Sequence, residues 1–456
     1  MYRKEYTETI FRTGSHTSRK SSVKQHEMAA LREMEQMILA AEAVPAGAEA
    51  LERATAHLEQ FLQQVRQKRI LDEKQRAMEA FRQQFENGYT WRNGFLRNVA
   101  RFGDREALIE PESGTVWTYT QLNAEANRLS HALLRAGLQK GDVVMVQLHN
   151  CPEFVFAYLA CHKTGMVFCP VNFRLSAKEI TDCMDNSRPK VFLLEPETQA
   201  EVDMALRRTA HAPQILLTTD ARAAHAYAGF TADCPATEPE LPWELSVYDE
   251  TLRLFTSGTT GRQKSVCLTS INEVLSAHDV MIHFPFSFTD RSMNTTPWFH
   301  RGGLHSGGIT PTLYAGGTVI IQRKFQPEKT LDMVQQYGLT FLIGVPNVLE
   351  LLAEAQQKQP RDLSSLRGIV TMGSPLERAD CIRYQKILTK RIFNGYGTTE
   401  TFWNTFLRPD DLPEMAGSAG RSCVDDDVRV VKVYEDRVAE PDDLAAIDGS
   451  EVGEVI

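Results

Sequence analysis

One stretch of the chain carries residue types suited to binding an anion. Residues 256–264 read Thr-Ser-Gly-Thr-Thr-Gly-Arg-Gln-Lys, with two glycines, four hydroxyl side chains and a terminal Arg-x-Lys. Small residues let several backbone N–H groups converge on one anion, hydroxyls add donors, and Lys264 adds a positive charge. The pattern predicts a phosphate-binding loop, and a flexible glycine-serine-threonine turn is the alternative.

The residues around this loop distinguish it from a P-loop. Leu252, Leu254 and Thr256 alternate with Arg253 and Phe255, which predicts a strand leading into the loop. Residues 265–269, Ser-Val-Cys-Leu-Thr, alternate in the same way instead of opening a helix, and the G-x-x-x-x-G-K-[ST] spacing is absent. We therefore expect a loop between two strands that binds a nucleotide in a different way from a P-loop.

Further motifs make the chain resemble a known family. Residues 256–264 resemble the signature loop of the adenylate-forming (AMP-binding) superfamily, which holds acyl-CoA and aryl-CoA synthetases, firefly luciferase and nonribosomal-peptide adenylation domains. Four more family elements follow in order: Pro-Trp-Phe-His-Arg-Gly-Gly at 297–303, Thr-Met-Gly-Ser-Pro-Leu at 371–376, Phe-Asn-Gly-Tyr-Gly-Thr-Thr-Glu at 393–400 and Gly-Ser-Ala-Gly-Arg at 417–421. The similarity covers about residues 95–456.

The resemblance implies a set of nucleotide-binding residues in three motifs. They are Thr256, Ser257, Gly258, Thr259, Thr260, Gly261 and Lys264 in the phosphate loop, Gly373, Ser374 and Pro375 in an adenine-pocket loop, and Gly395, Tyr396, Gly397, Thr398 and Thr399 in the G-Y-G-x-T-E element. The phosphate loop would hold the β- and γ-phosphates of ATP.

The residues implied to be catalytic are Lys264, His300, Thr399 and Glu400. Thr399 would donate a hydrogen bond to the α-phosphate, and Tyr396 would offer a flat face to adenine. Glu400 is the implied metal ligand, because Mg²⁺ takes one or two carboxylates and shares the phosphate oxygens of its substrate. His300, among glycines, would line the carboxylate and acyl pocket. Taken singly, Glu400 reads as a surface carboxylate, Tyr396 as a core residue and His300 as a structural histidine.

Two positions depart from the family pattern. Gln263 stands where the family usually has proline, which loosens the loop backbone but leaves the charge of Lys264 in place. Ser374 replaces a small apolar residue of the adenine loop. The aspartate that binds the amino group in peptide-type adenylation domains has no evident counterpart, which favours a hydrophobic acid over an amino acid.

The elements that must position these motifs follow an alternating order. Apolar runs at 143–146, 167–169 and 191–194 predict buried strands, and residues 153–163 and 177–186 predict the helices between them. A second set has strands at 318–321, 341–343 and 369–371 and helices at 329–337 and 346–356. This order predicts an α/β fold with layered parallel sheets and flanking helices, like the large domain of acyl-CoA synthetases. We expect one subdomain over 91–246 and a second, carrying the ATP and acyl pockets, over 247–456.

Residues 1–90 differ in composition from the rest of the chain and predict a helical N-terminal extension. They are rich in Ala, Glu, Gln, Arg and Met, with apolar residues three and four apart over 28–38, 51–65 and 71–85. The Pro45-Ala46-Gly47 break predicts two or three helices. Packing on the main domain and self-association into a homo-oligomer are both open.

Composition and charge exclude several classes of protein. The 456 residues include 50 basic and 59 acidic ones, a net charge of −9, which argues against a dedicated nucleic-acid or anionic-membrane binder. The longest apolar runs stop at about eight residues, too short to cross a bilayer. The N-terminus lacks the apolar core of a secretory signal. The eight irregularly spaced cysteines predict buried free thiols in a reducing cytoplasm.

The resemblance implies an ATP-dependent acid–CoA ligase. A fatty or aryl carboxylic acid and ATP would give an acyl-adenylate and pyrophosphate, and the thiol of CoA would then displace AMP. The chain ends at a segment similar to the strand before the family's C-terminal lid domain, so we expect the lid to be absent and adenylation to be impaired. An adenylation domain that loads a carrier protein and a non-catalytic nucleotide-binding protein are the alternatives.

Overall fold

A computed structural model describes residues 32, 36, 48–257 and 263–456. The chain divides into two units, residues 1–82 and 83–456. In the described part of the first unit, helix α1 spans Ala48–Phe81. It confirms a helical extension, and it joins the stripe over 51–65 with most of that over 71–85 in one helix, because residues 48–81 contain neither glycine nor proline. Apart from Arg32 and Gln36, which are helical, the stripe over 28–38 lies outside the described residues.

Apolar residues near the end of α1 are exposed. Ile70, Leu71, Met78 and Phe81 each keep more than half of their surface accessible. Self-association through this extension stays a prediction.

The second unit contains three sheets. Its strands, in chain order, are β1 Glu106–Glu110, β2 Thr115–Thr118, β3 Val143–Gln147, β4 Val167–Pro170, β5 Val191–Leu194, β6 Ile215–Thr218, β7 Glu250–Ser257, β8 Gln263–Thr269, β9 Arg291–Asn294, β10 Thr318–Ile320, β11 Phe341–Gly344, β12 Gly368–Met372, β13 Ile392–Thr398, β14 Phe402–Leu407, β15 Arg421–Ser422, β16 Val430–Lys432 and β17 Gly453–Val455. The predicted apolar runs at 143–146, 167–169 and 191–194 are confirmed as β3, β4 and β5.

The helices cover the sheets. They are α2 Trp91–Phe102, α3 Tyr119–Arg135, α4 Pro152–Thr164, α5 Ala177–Ser187, α6 Gln199–Leu206, α7 Tyr227–Thr231, α8 Ser270–His283, α9 Arg301–His305, α10 Ile309–Ala315, α11 Pro327–Tyr337, α12 Pro346–Lys358 and α13 Arg378–Ile387. Local sequence sets their starts: proline opens α4, α11 and α12, and Ser176 with Glu179 forms a capping box before α5.

Two large sheets are mainly parallel, as expected for an α/β fold. The six-stranded sheet has the order β6-β5-β3-β4-β7-β8, with only β8 antiparallel to its neighbour among the described strands. The nine-stranded sheet has the order β15-β14-β13-β12-β11-β9-β10-β1-β2, and its central strands β13 to β1 run parallel. The strands β16 and β17 form a small separate pair.

The two large sheets do not divide the chain at residues 246 and 247. The early strands β1 and β2 join the nine-stranded sheet through β10, and the later strands β7 and β8 complete the six-stranded sheet beside β4. The expected subdomains 91–246 and 247–456 therefore exchange strands. This exchange depends on pairing between strands that are far apart in the sequence. The local pattern of apolar residues does not predict such pairing.

Two further expectations concern the cysteines and membrane-spanning segments. Seven of the eight cysteines are buried free thiols, but Cys267 on β8 is exposed because strand alternation turns it away from the core. Within the described ranges no helix combines the length and the apolarity that a membrane span requires.

Candidate nucleotide and acid site

Four parallel strands of the nine-stranded sheet, β9, β11, β12 and β13, end at one edge. Motif residues follow three of these ends: 297–303 after β9, 373–375 after β12, and 395–400 at the end of β13 and beyond. Ligands of open α/β sheets bind outside the carboxyl ends of their strands. The fold therefore places the acid-pocket, adenine-loop and G-Y-G-x-T-E motifs on one edge of one sheet.

The segment after β9 is fixed by buried amides. The Asn294 side chain donates to the carbonyl oxygens of Gly302 at 3.0 Å and Ser306 at 3.1 Å. The Trp298 N–H donates to the Asn150 side chain at 2.9 Å. A Cβ on Gly303 would lie 2.1 Å from the Pro297 carbonyl oxygen, so only glycine fits this turn. His300 is exposed directly before α9.

The predicted adenine loop follows β12. Gly373 has a φ of +82°, a conformation that glycine adopts without steric cost, and it is exposed with Ser374 and Pro375. On the neighbouring strand Gly395 lies opposite Met372, and Tyr396 keeps 42% of its surface accessible. A core role for Tyr396 is thus wrong, and its ring is available to a ligand.

Glu400 lies on the hairpin that joins β13 to β14. Thr398 pairs with Phe402 across this hairpin, and the Thr398 hydroxyl accepts a hydrogen bond from the Thr401 N–H at 3.2 Å. Glu400 is exposed and Thr399 is half-buried. The hairpin therefore presents a carboxylate and a hydroxyl on consecutive residues at the strand edge.

This arrangement fits Mg²⁺ held mainly by its substrate. In the part of the chain that the structure describes, no group of three or more His, Cys, Asp or Glu side chains is arranged to hold a metal ion. Mg²⁺ usually keeps several waters and uses one or two carboxylates together with substrate phosphates. One exposed carboxylate, Glu400, suits that mode of binding and would not suffice for a site built entirely by protein.

The phosphate loop belongs to the other large sheet. Thr256 ends β7 half-buried, and it pairs with the exposed Lys264 on β8. The strands predicted on both sides of the loop are confirmed. Gly258, Thr259, Thr260 and Gly261 lie outside the described residues, as does the side chain of Ser257. The structure thus brings the described site residues to two sheets, with His300, Thr399 and Glu400 on one and Lys264 on the other.

Sequence reasoning gave no role to Arg301, the residue after His300. Arg301 keeps only 6% of its surface accessible, and its guanidinium donates to the Thr399 carbonyl oxygen and, at 3.2 Å, to the Ser276 hydroxyl. It also lies 5.1 Å from the centre of the Phe402 ring. Burial lowers the pKa of Arg301 to about 10, although Glu273 and other carboxylates oppose that shift.

Behind Arg301 lies a buried polar network from three helices, α4, α8 and α9. The Glu273 carboxylate on α8 accepts from Tyr158 at 2.6 Å and from His305 Nε2 at 2.8 Å. His305 Nδ1 lies 3.2 Å from the Arg301 carbonyl oxygen. Both ring nitrogens of His305 thus face an oxygen atom, one from a carboxylate and one from a backbone carbonyl. We name Glu273, His305 and Arg301 the buried triad.

The network also fixes the charge of Glu273. Burial alone would raise the pKa of Glu273, but the charge and hydrogen bond of His305, with smaller contributions from His162 and Tyr158, lower it to about 2. His162 lies beside the triad, and burial lowers its pKa to about 4, so it is neutral at pH 7. The only sequence signal for this network was a set of polar residues in otherwise apolar helix positions.

Comparison with known proteins agrees with this geometry. The model of the AMP-binding enzyme family matches residues 95–455. The chain belongs to the AMP-binding enzyme family. The motifs at 297–303, 371–376 and 393–400 lie within the matched residues, and the structure places them on one sheet edge.

Similar proteins include ligases for aromatic and fatty acids. The chain is 32% identical to an indoleacetate–CoA ligase of Aromatoleum aromaticum over 72% of its own length and 65% of that protein. It is 30% identical to a fatty acid–[acyl-carrier-protein] ligase, ScoC, of Streptomyces coeruleorubidus, over 63% of the chain and 54% of the relative. The chain thus spans less than two thirds of the length of these relatives.

A solved structure supports the fold. ATP-bound MatB from Rhodopseudomonas palustris superposes with a TM-score of 0.64 at 25% identity, over 75% of this chain and 66% of that one. The α/β architecture expected from the sequence is thereby confirmed.

Proposed function

We propose that this chain is the nucleotide- and acid-binding part of an ATP-dependent acid–CoA ligase. The observation that carries the proposal is the placement of His300 after β9, and of Tyr396, Thr399 and Glu400 at the end of β13, on the same edge of one parallel sheet. In the proposed reaction a carboxylate oxygen attacks the α-phosphorus of ATP, the bond to pyrophosphate breaks, and the acyl-adenylate remains. The thiol of CoA then attacks the acyl carbon and displaces AMP.

Each described residue has a distinct task in this proposal. Lys264 compensates the charge of the β- and γ-phosphates, and Thr399 donates a hydrogen bond to an α-phosphate oxygen. Tyr396 stacks on adenine, and His300 lines the site of the acid carboxylate. Mg²⁺ would be held by Glu400 and the phosphates, and when bound it supplies charge stabilisation for the leaving pyrophosphate. The ATP bound to the related MatB supports the choice of nucleotide.

The acid is proposed to be hydrophobic, either aryl or fatty. Trp298 and Phe299 are buried next to His300, and Phe402 and Trp403 are buried beyond Glu400. These aromatic side chains make the surroundings of the expected acyl pocket apolar. Relatives that act on indoleacetate and on a fatty acid support the same range of substrates.

Calorimetry with Mg·ATP tests the nucleotide site. We expect Lys264→Ala and Glu400→Ala each to weaken binding by about tenfold or more, because each removes a charge facing the phosphates or the metal. Lys358→Ala and Glu354→Ala, which change exposed residues on α12, should bind like the wild type. Equal heats for the wild type, Lys264→Ala and Glu400→Ala would refute the site.

The acyl acceptor is the second part of the test. A carrier protein is an alternative to CoA, and the similarity to a carrier-protein ligase favours testing it. Offering CoA and a phosphopantetheinyl carrier separately, with ATP and a panel of acids, shows which thioester forms. A chain that binds Mg·ATP but forms no adenylate with any acid would support the non-catalytic alternative.

A further inference from the structure

The hairpin that carries Thr399 and Glu400 is held in an unfavourable backbone conformation. Phe402 has a φ of +69°, in the left-handed region that bulky residues rarely adopt. The strand opposite it is equally constrained, because a Cβ on Gly397 would lie 1.4 Å from the Phe402 carbonyl oxygen. Such a conformation persists only where the surroundings impose it, and in this fold it borders the proposed phosphate and metal residues.

Arg301 is the contact that reaches both sides of this hairpin from the core. Its guanidinium donates to the Thr399 carbonyl at the start of the turn and lies against the Phe402 ring at the end of it. A guanidinium is planar and carries five donors, so one side chain can bind a carbonyl at its edge and a ring at its face. The ring of His305 lies 5.8 Å from the same Phe402 ring.

The rest of the buried triad fixes Arg301 itself. His305 holds the Arg301 backbone carbonyl through Nδ1, and its Nε2 is held by Glu273, which has no accessible surface. Glu273 contacts His305 directly, and its negative charge also stabilises the charged form of Arg301. Turning Arg301 towards solvent would therefore remove a positive charge that interacts with this buried carboxylate.

We propose that the buried triad is a positioning device for the Thr399–Phe402 hairpin, with Arg301 as the residue that sets where the Thr399 hydroxyl and the Glu400 carboxylate meet ATP and Mg²⁺. The inference rests on the proposed function, since it concerns the same site. Arg301 acts through the hairpin and does not itself touch the nucleotide. Its loss should weaken the use of Mg²⁺ and ATP without unfolding the chain.

The test compares Arg301→Met with a matched control. Like Arg301, Arg367 donates to a backbone carbonyl, that of Pro285 at 3.0 Å, and lies near an aromatic ring, that of Phe341 at 5.3 Å. It pairs with the buried Asp290 at 2.6 Å, where Arg301 instead donates to the Ser276 hydroxyl. Arg367→Met therefore removes a similar set of interactions away from the hairpin. Thermal unfolding of both variants shows whether each is folded before binding is measured.

Titration of Mg²⁺ at fixed ATP, followed by calorimetry or thermal shift, provides the readout that a merely structural role would not change. We expect Arg301→Met to raise the half-saturating Mg²⁺ concentration about tenfold and Arg367→Met to leave it within about twofold, even where both variants lose stability. Arg301→Lys should fall between the wild type and Arg301→Met, because an ammonium can reach one carbonyl but cannot also lie flat on a ring.

The possible results separate the inference from the proposed function. If wild-type binding depends on Glu400 and Arg301→Met keeps the wild-type Mg²⁺ dependence, the proposed function stands and the positioning device is refuted. If Arg301→Met does not fold, Arg301→Lys decides the matter by the same titration. If the wild-type chain binds no Mg·ATP, the proposed function fails and the inference fails with it.

Discussion

Glu273→Gln is the perturbation whose effect the structure defines most closely. Glu273 is fully buried, and its carboxylate receives hydrogen bonds from Tyr158 and His305. Glutamine keeps the size of the side chain but removes the negative charge that contacts His305 and stabilises the guanidinium of Arg301. The substitution therefore measures the electrostatic support of the network with little change in packing.

The magnitude follows from the pKa of Glu273. A fall of the pKa from the ordinary value of 4.5 to about 2 corresponds to about 3 kcal/mol of extra stability for the ionised form in the folded chain. Breaking a buried ion pair by removing one partner costs about 3–5 kcal/mol, which agrees. Because the folded pKa is lowered, this stability is complete above the unfolded pKa and is lost as pH falls towards 2. The wild-type contribution should already be smaller by about 1 kcal/mol at pH 4.

Urea unfolding followed by tryptophan fluorescence measures this effect. We expect Glu273→Gln to lower the free energy of unfolding by about 3 kcal/mol at pH 7 with an unchanged dependence on urea. Combined with His305→Gln, the double variant should lose clearly less than the sum of the two single losses, because the residues are in direct contact. A single-variant loss below about 0.5 kcal/mol at pH 7, or additive losses, would refute the buried ion pair.

Three further predictions use other parts of the same unit. Gly303→Ala should cost at least about 2 kcal/mol of stability in urea unfolding, because its Cβ would lie 2.1 Å from a backbone oxygen, whereas Gly302→Ala, which meets only the Met372 sulfur at 3.1 Å, should cost less than about 1 kcal/mol. Burial, Asp426 and Asp425 raise the pKa of Asp279 to about 6, so the free energy of unfolding falls as pH rises through that value. We expect Asp279→Asn to stabilise the chain by about 1–2 kcal/mol at pH 8, with a gain that shrinks towards pH 4. An effect that does not change with pH would contradict this. A thiol reagent should label Cys267, the exposed one of the eight cysteines, rapidly in the folded chain. Labelling should be faster at pH 9 than at pH 7, because burial and Glu250 raise the pKa of this thiol. Cys267→Ser should abolish the rapid labelling.

The sequence predicted the elements of the fold better than their assembly. The runs at 143–146 and 191–194 became strands because consecutive apolar, largely β-branched or aromatic residues suit a strand buried on both faces. The exchange of β1–β2 and β7–β8 between the sheets was not predictable in this way. Those pairings join residues far apart in the chain, and several partners would satisfy the same apolar pattern.

The site shows the same division between local and distant information. The hairpin with Thr399 and Glu400 follows from a motif whose spacing is visible in the sequence. The support behind it does not, because Tyr158 and Glu273 are 115 residues apart and meet only when α4 packs near α8. The left-handed conformation of Phe402 also has no sequence signal, since phenylalanine is among the residues least expected there.

Charge attraction and geometric positioning are assigned to different sheets in this chain. The chain carries a net charge of −9, and its helical extension is nearly neutral, so an anionic nucleotide must be attracted by local cations. The charge of Arg301 is compensated by Glu273 inside the core and faces a backbone carbonyl, so it adds little attraction at a distance. Lys264 is exposed on β8. The proposed site therefore needs both sheets: one brings the phosphates in, and the other, through the buried triad, fixes the residues that meet them.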